Sequence, residues 1–180
     1  MEASETTLQT NRLWLRPMTP ATITDLFRSQ SEADFRKLFA TNEKDYEKYR
    51  NMVEQGMETD RLSLLVFLLI EKESGRTIGQ CGYHTWNRLH DRAEVFYGLS
   101  NDADKRKGYM KEALKAVLEY GFGEMNLNRI EAFVADYNEP SVRLLRHSGF
   151  RKEGTARGHY LVDGVYEDSD FYALLATDER

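Results

Sequence analysis

With 180 residues, the chain is long enough to bury a substantial core as one ordinary domain without metals or disulfides. A composition of 41% hydrophobic and 31% charged residues with only 3 Pro excludes a largely disordered chain, and the lone Cys81 excludes an internal disulfide and a thiolate zinc cluster. The formal charge of -5 argues against a broad nucleic-acid-binding surface, so no nucleic-acid partner is expected, and it suits an amine substrate.

The opening MEASETTLQT is acidic and polar, without the basic start and apolar stretch of a secretion signal. The longest apolar run, Leu62 to Ile70, is far shorter than the roughly 20 residues of a membrane-spanning helix and reads as a buried strand. A cytoplasmic location without a membrane partner is expected. The first few residues and Asp178 to Arg180 read as tails around a single domain with its core at about 8–175.

In chain order, Leu8 to Arg16 alternates apolar and polar as a first strand, which Pro17 punctuates. Thr19 to Gln30 can form a short helix with Ile23, Leu26 and Phe27 on one stripe, and Phe35 to Met57 adds irregular, charge-rich helical structure. Strands follow at Ser63 to Glu71, Thr77 to Trp86 and Ala93 to Leu99, joined by EKESGR and NRLHDR as an antiparallel meander. From Lys107 to Glu124 the period becomes helical, with Met110, Ala113, Leu114, Val117, Leu118, Gly121 and Phe122 on one buried face. Arg129 to Ala135 is a short strand and Asn138 to Ser148 a helix, with Pro140 tolerable in its first turn and Asn138 placed to cap it. Phe150 to Glu153 and Val165 to Leu175 are final strands, joined by ARGHYLVDG. The order predicts an α+β domain in three α/β/α layers around a mixed, mostly antiparallel sheet, whose edge strands leave a homodimer open.

Between AEVFYGL and the amphipathic helix lies SNDADKRKGYMKEAL. A helix starting near Arg106 or Lys107 would offer its first, unpaired amides to phosphate oxygens, with Gly108 allowing close approach and Lys105, Arg106 and Lys107 adding positive charge. The same residues also fit a solvated basic corner. The glycine spacing is neither that of a P-loop nor that of a dinucleotide fingerprint.

The ordered segments together resemble the GCN5-related N-acetyltransferase superfamily, in particular its ribosomal-protein N-terminal acetyltransferase branch. KRKGYM is similar to the branch signature [R/Q]xxGx[G/A], departing at Lys105, Arg106 and Met110; IGQCGYHTW and RAEVFYGL resemble its two central strands. EALKAVLEYGFGEMNLNRIEAFV resembles its long helix and next strand, NEPSVRLLRHSGFRKEG its NxxSxxLLxxxGFxxEG pattern, and DGVYEDSDFYALL its final hairpin strand. The resemblance spans roughly Leu8 to Leu175 and implies the acyl-CoA N-acyltransferase fold. It implies that the strands Ala93 to Leu99 and Arg129 to Ala135 splay apart around the pantetheine arm of acetyl-CoA. Main-chain groups of Phe96, Tyr97, Gly98, Leu99, Ser100 and Asn101 would pair with the arm, and amides of Arg106, Lys107, Gly108, Tyr109, Met110 and Lys111 would hold the pyrophosphate. Asn138 would contact the arm through its side chain, or serve as a helix cap.

Direct attack by an amine in a ternary complex needs a base, an oxyanion donor and relief of charge on the leaving thiolate. Glu94, on the central strand opposite the acyl group, is the candidate base or water anchor, against the reading of a surface carboxylate. Desolvation would raise its pKa and a neighbouring Arg would counter that. Ser141 stands where the branch has a serine discussed as the sulfur's partner, and could equally cap the Asn138 helix. The wider superfamily's tyrosine four residues before the Gly of its GF pair is Leu145 here, so that role has no bearer at its usual place. A backbone amide near Leu99 is a candidate oxyanion donor, Asp168 a candidate amine ligand, and Tyr97, Tyr160 and Tyr166 could line the amine's route. Cys81 reads as a core thiol, and His84, His90, His147 and His159 are scattered without metal-ligand spacing, so no metal is expected. The implied function is transfer of acetyl from acetyl-CoA to a primary amine, foremost a peptide or protein N-terminal α-amine. A polyamine or antibiotic acceptor, and a non-catalytic acyl-CoA-binding module, are the alternatives.

Overall fold

The computed structural model describes residues 6–178, so the expected tails are outside it except for Asp178. Asp178 is tied down: its carboxylate accepts from the Leu175 N–H at 2.9 Å and pairs with Arg151 at 3.1 Å. One eight-stranded sheet runs β1-β2-β3-β4-β5-β6-β8-β7. Its strands are β1 (Leu8–Gln9), β2 (Leu13–Met18), β3 (Leu62–Glu71), β4 (Thr77–Asn87), β5 (Arg92–Leu99), β6 (Arg129–Val134), β7 (Arg151–Val162) and β8 (Val165–Leu175). The pairings are antiparallel except β5 with β6.

Helices cover both faces, as the three-layer expectation requires. On one side α1 (Pro20–Ser29), α2 (Glu32–Phe39) and α3 (Glu43–Gln55) bury Ile23, Phe35, Phe39, Tyr46 and Tyr49 against Met18, Leu64, Val66 and Leu68. On the other, α4 (Tyr109–Gly123) and α5 (Glu139–His147) bury Leu114, Val117 and Leu145 against the opposite side chains of the same strands, Leu65, Phe67, Tyr83 and Val95. A strand covered on both faces need not alternate, which is why Ser63 to Leu69 is buried throughout.

Local chemistry moves several expected boundaries. The first strand is two short ones, and Pro17 does not end the second but sits inside it opposite Phe67, where β1 has already ceased to pair. The irregular stretch is two defined helices. Ala40 turns left-handed (φ 50°) to close α2, and Asn42 opens α3 by accepting from the Asp45 N–H at 2.9 Å. The supposed connector ARGHYLVDG is mostly strand: β7 runs to Val162 and only Asp163 and Gly164, with φ 48° and 84°, make the hairpin turn.

Two clamps fix the helices next to the site. Tyr49 donates to Gln80 Oε1 (2.8 Å), while Gln80 Nε2 and Thr77 donate to the carbonyls of Phe39 (3.0 Å) and Leu38 (2.8 Å), tying α2 and α3 to β4. On the opposite face the fully buried Tyr83 hydroxyl donates to the Val117 carbonyl at 2.8 Å, where Gly121 leaves room for the ring.

Candidate active site

Strands β5 and β6 pair only at Arg92 with Arg129, Ala93 with Ile130 and Glu94 with Glu131. Beyond Glu94, the β5 residues from Val95 to Leu99 have β4 on one side and no β6 partner on the other, so the sheet opens into a gap with an unpaired backbone edge. Phe96 to Asn101 border this edge and also line a cavity of about 1010 Å³ on the α2–α3 side, with Tyr49, Met52, Leu64, Val66, Gln80 and His84 among its other walls. The Thr41 hydroxyl oxygen lines the same cavity region, buried and without a hydrogen-bond partner. A buried polar atom left alone there is the kind of group a ligand satisfies.

The gap's far end meets the start of α4. That helix opens at Tyr109, two residues later than its periodicity predicts, because Arg106 (φ 61°) and Gly108 (φ 81°) are both left-handed and keep the chain out of the helix until then. The free first-turn amides are therefore those of Tyr109, Met110 and Lys111, the Glu112 amide being the first to bond back, to Gly108. The Tyr109 side chain is buried and donates to Glu71, leaving only its backbone for a ligand. Lys105 is engaged with Asp102 at 2.6 Å, and the lysine at 107 lends its carbonyl to Arg12 at 2.9 Å.

Arg12 was not among the residues singled out from the sequence, yet it organises this loop. Glu112 binds its Nε at 2.8 Å and its Nη2 at 2.8 Å, its guanidinium lies 4.5 Å from the Tyr109 ring centroid, and its Nη2 would stand 3.5 Å from a Cβ added at Gly108. Asp104, buried under the loop, takes both Arg76 guanidinium nitrogens at 3.1 and 2.7 Å, and this pairing holds its carboxyl below the usual aspartate range.

At the closed end of the gap stands Glu94. Burial first, and the Glu131 carboxylate beside it second, push its pKa up to about 7. Glu131 itself accepts hydrogen bonds from Arg92 and Arg129, each at 2.7 Å. Among the described residues no arginine bonds Glu94 directly; its neighbour across the strands is His84, with Nε2 3.5 Å from Oε1. Burial lowers the pKa of His84, favouring a neutral ring. His84 reads from the sequence as an ordinary histidine; the register that places it opposite Glu94 is visible only after the β4–β5 meander is aligned.

Strand alternation sorts the remaining candidates. Glu94, Phe96 and Gly98 share the α2–α3 face, while Tyr97 packs toward the α4–α5 face, where its hydroxyl meets Ser141 Oγ at 2.6 Å. Tyr97 thus borders the cavity but does not line an amine's route with its phenol. Asn138 is the α5 cap, accepting from the Ser141 N–H at 3.3 Å. Tyr160 comes within reach of Glu94, whose charge adds to burial in raising the phenol's pKa. Tyr166 and Asp168 are not brought to this group: on β8 they share the face of Tyr172 and Leu174, Tyr166 is largely exposed, and Asp168 already accepts from the Gly158 N–H at 2.8 Å. Cys81, buried and opposite Tyr97, has its thiol pushed up by burial and is no nucleophile.

The family model described as the acetyltransferase (GNAT) domain matches residues 12–151. The chain belongs to the GNAT acetyltransferase family. The acetyltransferase is 34% identical over 177 residues to the uncharacterized N-acetyltransferase p20 of Bacillus licheniformis, covering 94% of this chain and 96% of that protein. Over 72 residues it is 39% identical to the ribosomal protein uS5-alanine N-acetyltransferase of Escherichia coli, 40% of this chain and 37% of that one. It shares the fold of the spermidine/spermine N-acetyltransferase of Vibrio cholerae, with a TM-score of 0.68 at 19% identity over 92% of this chain and 94% of the other. The chain is thus an N-acetyltransferase enzyme, of a family whose acetyl donor is acetyl-CoA, and the fold and family expected from its motifs both hold. Among the described residues no helix is long and apolar enough to cross a membrane.

Proposed function

We propose that this acetyltransferase binds acetyl-CoA in the gap between β5 and β6 and acetylates the N-terminal α-amine of a peptide or protein. One observation carries the reading: the unpaired β5 edge, whose residues from Phe96 onward line a roomy cavity, starts beside a carboxyl whose pKa is pushed up to about 7. The β5 backbone from Phe96 to Asn101 would pair with the pantetheine amides, and the amides of Tyr109, Met110 and Lys111 would receive the pyrophosphate. The bound donor supplies an activated acetyl thioester. Glu94, directly or through water, takes one proton from the incoming ammonium, the freed amine forms the N–C bond as the C–S bond breaks with its electron pair on sulfur, and the acylated nitrogen loses its second proton to solvent to give the neutral amide. A carboxylate near pH 7 in pKa is matched to this task, since it is both substantially ionised and basic enough to accept the proton.

The cavity supports the peptide over a polyamine. Its walls include Ala40, Met52, Leu64, Val66 and Phe96, suited to an apolar first residue. Its charged side chains are Arg36, Asp45 and Lys48, and Asp45 is already neutralised by Lys48 at 2.7 Å. A polyamine's several ammonium groups would find the one lining carboxylate already paired and an arginine of like charge in the same wall. The stretch shared with the uS5-alanine N-acetyltransferase points the same way.

An acceptor screen read by product mass tests the proposal. Short peptides with an unblocked N-terminus should be acetylated on the α-amine, with spermidine and spermine at least about 100-fold poorer in kcat/KM, a difference of nearly 3 kcal/mol. Preference for spermidine would replace the peptide reading. For the donor end, Arg12→Ala frees the Lys107 carbonyl and the Glu112 carboxylate next to the pyrophosphate site. It should weaken CoA binding by about tenfold in calorimetry, as loss of one charge-assisted hydrogen bond would, while the KM for the peptide holds. Unchanged CoA affinity would remove the loop from the pyrophosphate site.

A further inference from the structure

The cavity wall nearest Glu94 includes His84 and Phe96 but not Glu94 itself, and the His84 side chain is 39% exposed where that of Glu94 is 13%. The backbone departs from regular geometry next to this histidine. From His84 to Asn87, β4 uses one more residue than β5 does from Glu94 to Arg92, and from Tyr83 to Trp86 one more than β3 does from Leu65 to Ser63. Thr85, inside that bulge, is left-handed at φ 48°. A β-branched residue is strained there, and bulges and strain of this kind gather beside functional groups that have to be aimed. His84 and Glu94 are the last pair in register before the bulge, so both side chains leave the sheet on the α2–α3 face, with Nε2 3.5 Å from Oε1. The Phe96 ring, its centroid 5.7 Å from that of the imidazole, flanks His84 on the same face.

Resting on the reading of Glu94 as the base, we infer that His84 is a catalytic residue that carries the ammonium proton from the cavity to Glu94. A neutral imidazole holds a proton on one ring nitrogen and a lone pair on the other. With the Nε2 proton turned to the Glu94 carboxylate, Nδ1 takes a proton from the ammonium as Nε2 passes its own to Oε1. The amine is left with the lone pair that forms the N–C bond, and the ring is again neutral with its proton on Nδ1. That proton then goes to solvent and Glu94 returns its own to Nε2, so the net transfer is one proton from the ammonium to water. A spacing of 3.5 Å is that of a catalytic hydrogen bond before the acceptor arrives and tightens it. Glu131 of β6 and Tyr160 of β7 act on Glu94, and Arg36 of α2 with Asp45, Lys48 and Tyr49 of α3 line the cavity that His84 borders. Asp45 is paired with Lys48, and burial favours the neutral ring, so His84 meets the ammonium with its lone pair free.

The test uses the full-length enzyme with His84→Ala, His84→Gln and Glu94→Gln, a peptide acceptor, and imidazole added in solution. Both His84 variants should lose at least about tenfold in kcat, water taking the place of the ring only in part, while CoA affinity by calorimetry stays within about twofold. Imidazole should restore His84→Ala by about fivefold or more, because the vacated space admits a ring that can carry the proton. It should do nothing for His84→Gln, whose side chain fills that space, or for Glu94→Gln, which lacks the final acceptor. A full-rate His84→Gln enzyme beside a slow Glu94→Gln one would overturn the inference and leave Glu94 working through water. A slow His84→Ala enzyme that imidazole does not restore would overturn it as well, since the ring then only packs. A full-rate Glu94→Gln enzyme is a different failure: it removes the base itself, and the role of His84 with it.

Discussion

Glu94→Gln is expected to lower kcat/KM by about 10²-fold or more and to abolish the rise of activity through pH 7, with CoA affinity unchanged. The wild-type rate should climb along a single ionisation near the Glu94 pKa of about 7, because only the carboxylate accepts the ammonium proton. Glu131→Gln refines the test: it removes the like charge that helps hold the Glu94 pKa up and takes a carboxylate partner from Arg92, so the rising limb should move to lower pH. Stability gives an independent readout. A carboxyl whose folded pKa is raised from 4.5 to about 7 opposes folding when it ionises: the penalty is absent below pH 4.5, grows between the two values and is complete above 7. Glu94→Gln should therefore be more stable than wild type at pH 8, by on the order of 2 kcal/mol, and equal to it at pH 4. Unaltered activity with a retained limb near pH 7 would exclude Glu94 as the base.

Gly82→Ala is expected to be severely damaging for the addition of a single methyl. A Cβ at this position in β4 would stand 2.2 Å from the Leu65 carbonyl oxygen and 2.9 Å from the Val66 Cα, both backbone atoms of the neighbouring strand β3. No rotamer relieves such a clash, so β3 and β4 must separate in the middle of the sheet. The cost should be at least about 3 kcal/mol, a fall in Tm of roughly 6 to 12 °C for a domain of this size. Gly154→Ala in β7 is the control, since its Cβ would meet nothing within 4 Å. Equal melting temperatures for the two variants would mean that β3 and β4 are not packed as described.

Where sequence reading failed, it failed at places set by backbone sign or by distant neighbours. The start of α4 slipped by two residues because Arg106, an ordinary helix former, is held left-handed by its loop, with Arg12 bonding the next carbonyl from the other end of the fold. The length of β7 was hidden because its polar residues pair with β8 around a bulge between Ala156 and Tyr160, which breaks the expected alternation. Asp168 was a reasonable amine ligand by type, and only the register shows that its carboxylate is spent on the Gly158 N–H.

By itself the sequence determined the run of strands and helices, the cap at Asn138 with Pro140 in the first turn, and the family, because periodicity, capping and short motifs are written within a few residues of one another. Only the tertiary structure decided that β5 parts from β6 after Glu94, that Glu131 and His84 flank that carboxyl, and that Tyr97 rather than the helix engages the Ser141 hydroxyl. Desolvation and hydrogen bonding depend on which remote segments close around a group, and no local pattern of residues carries that information.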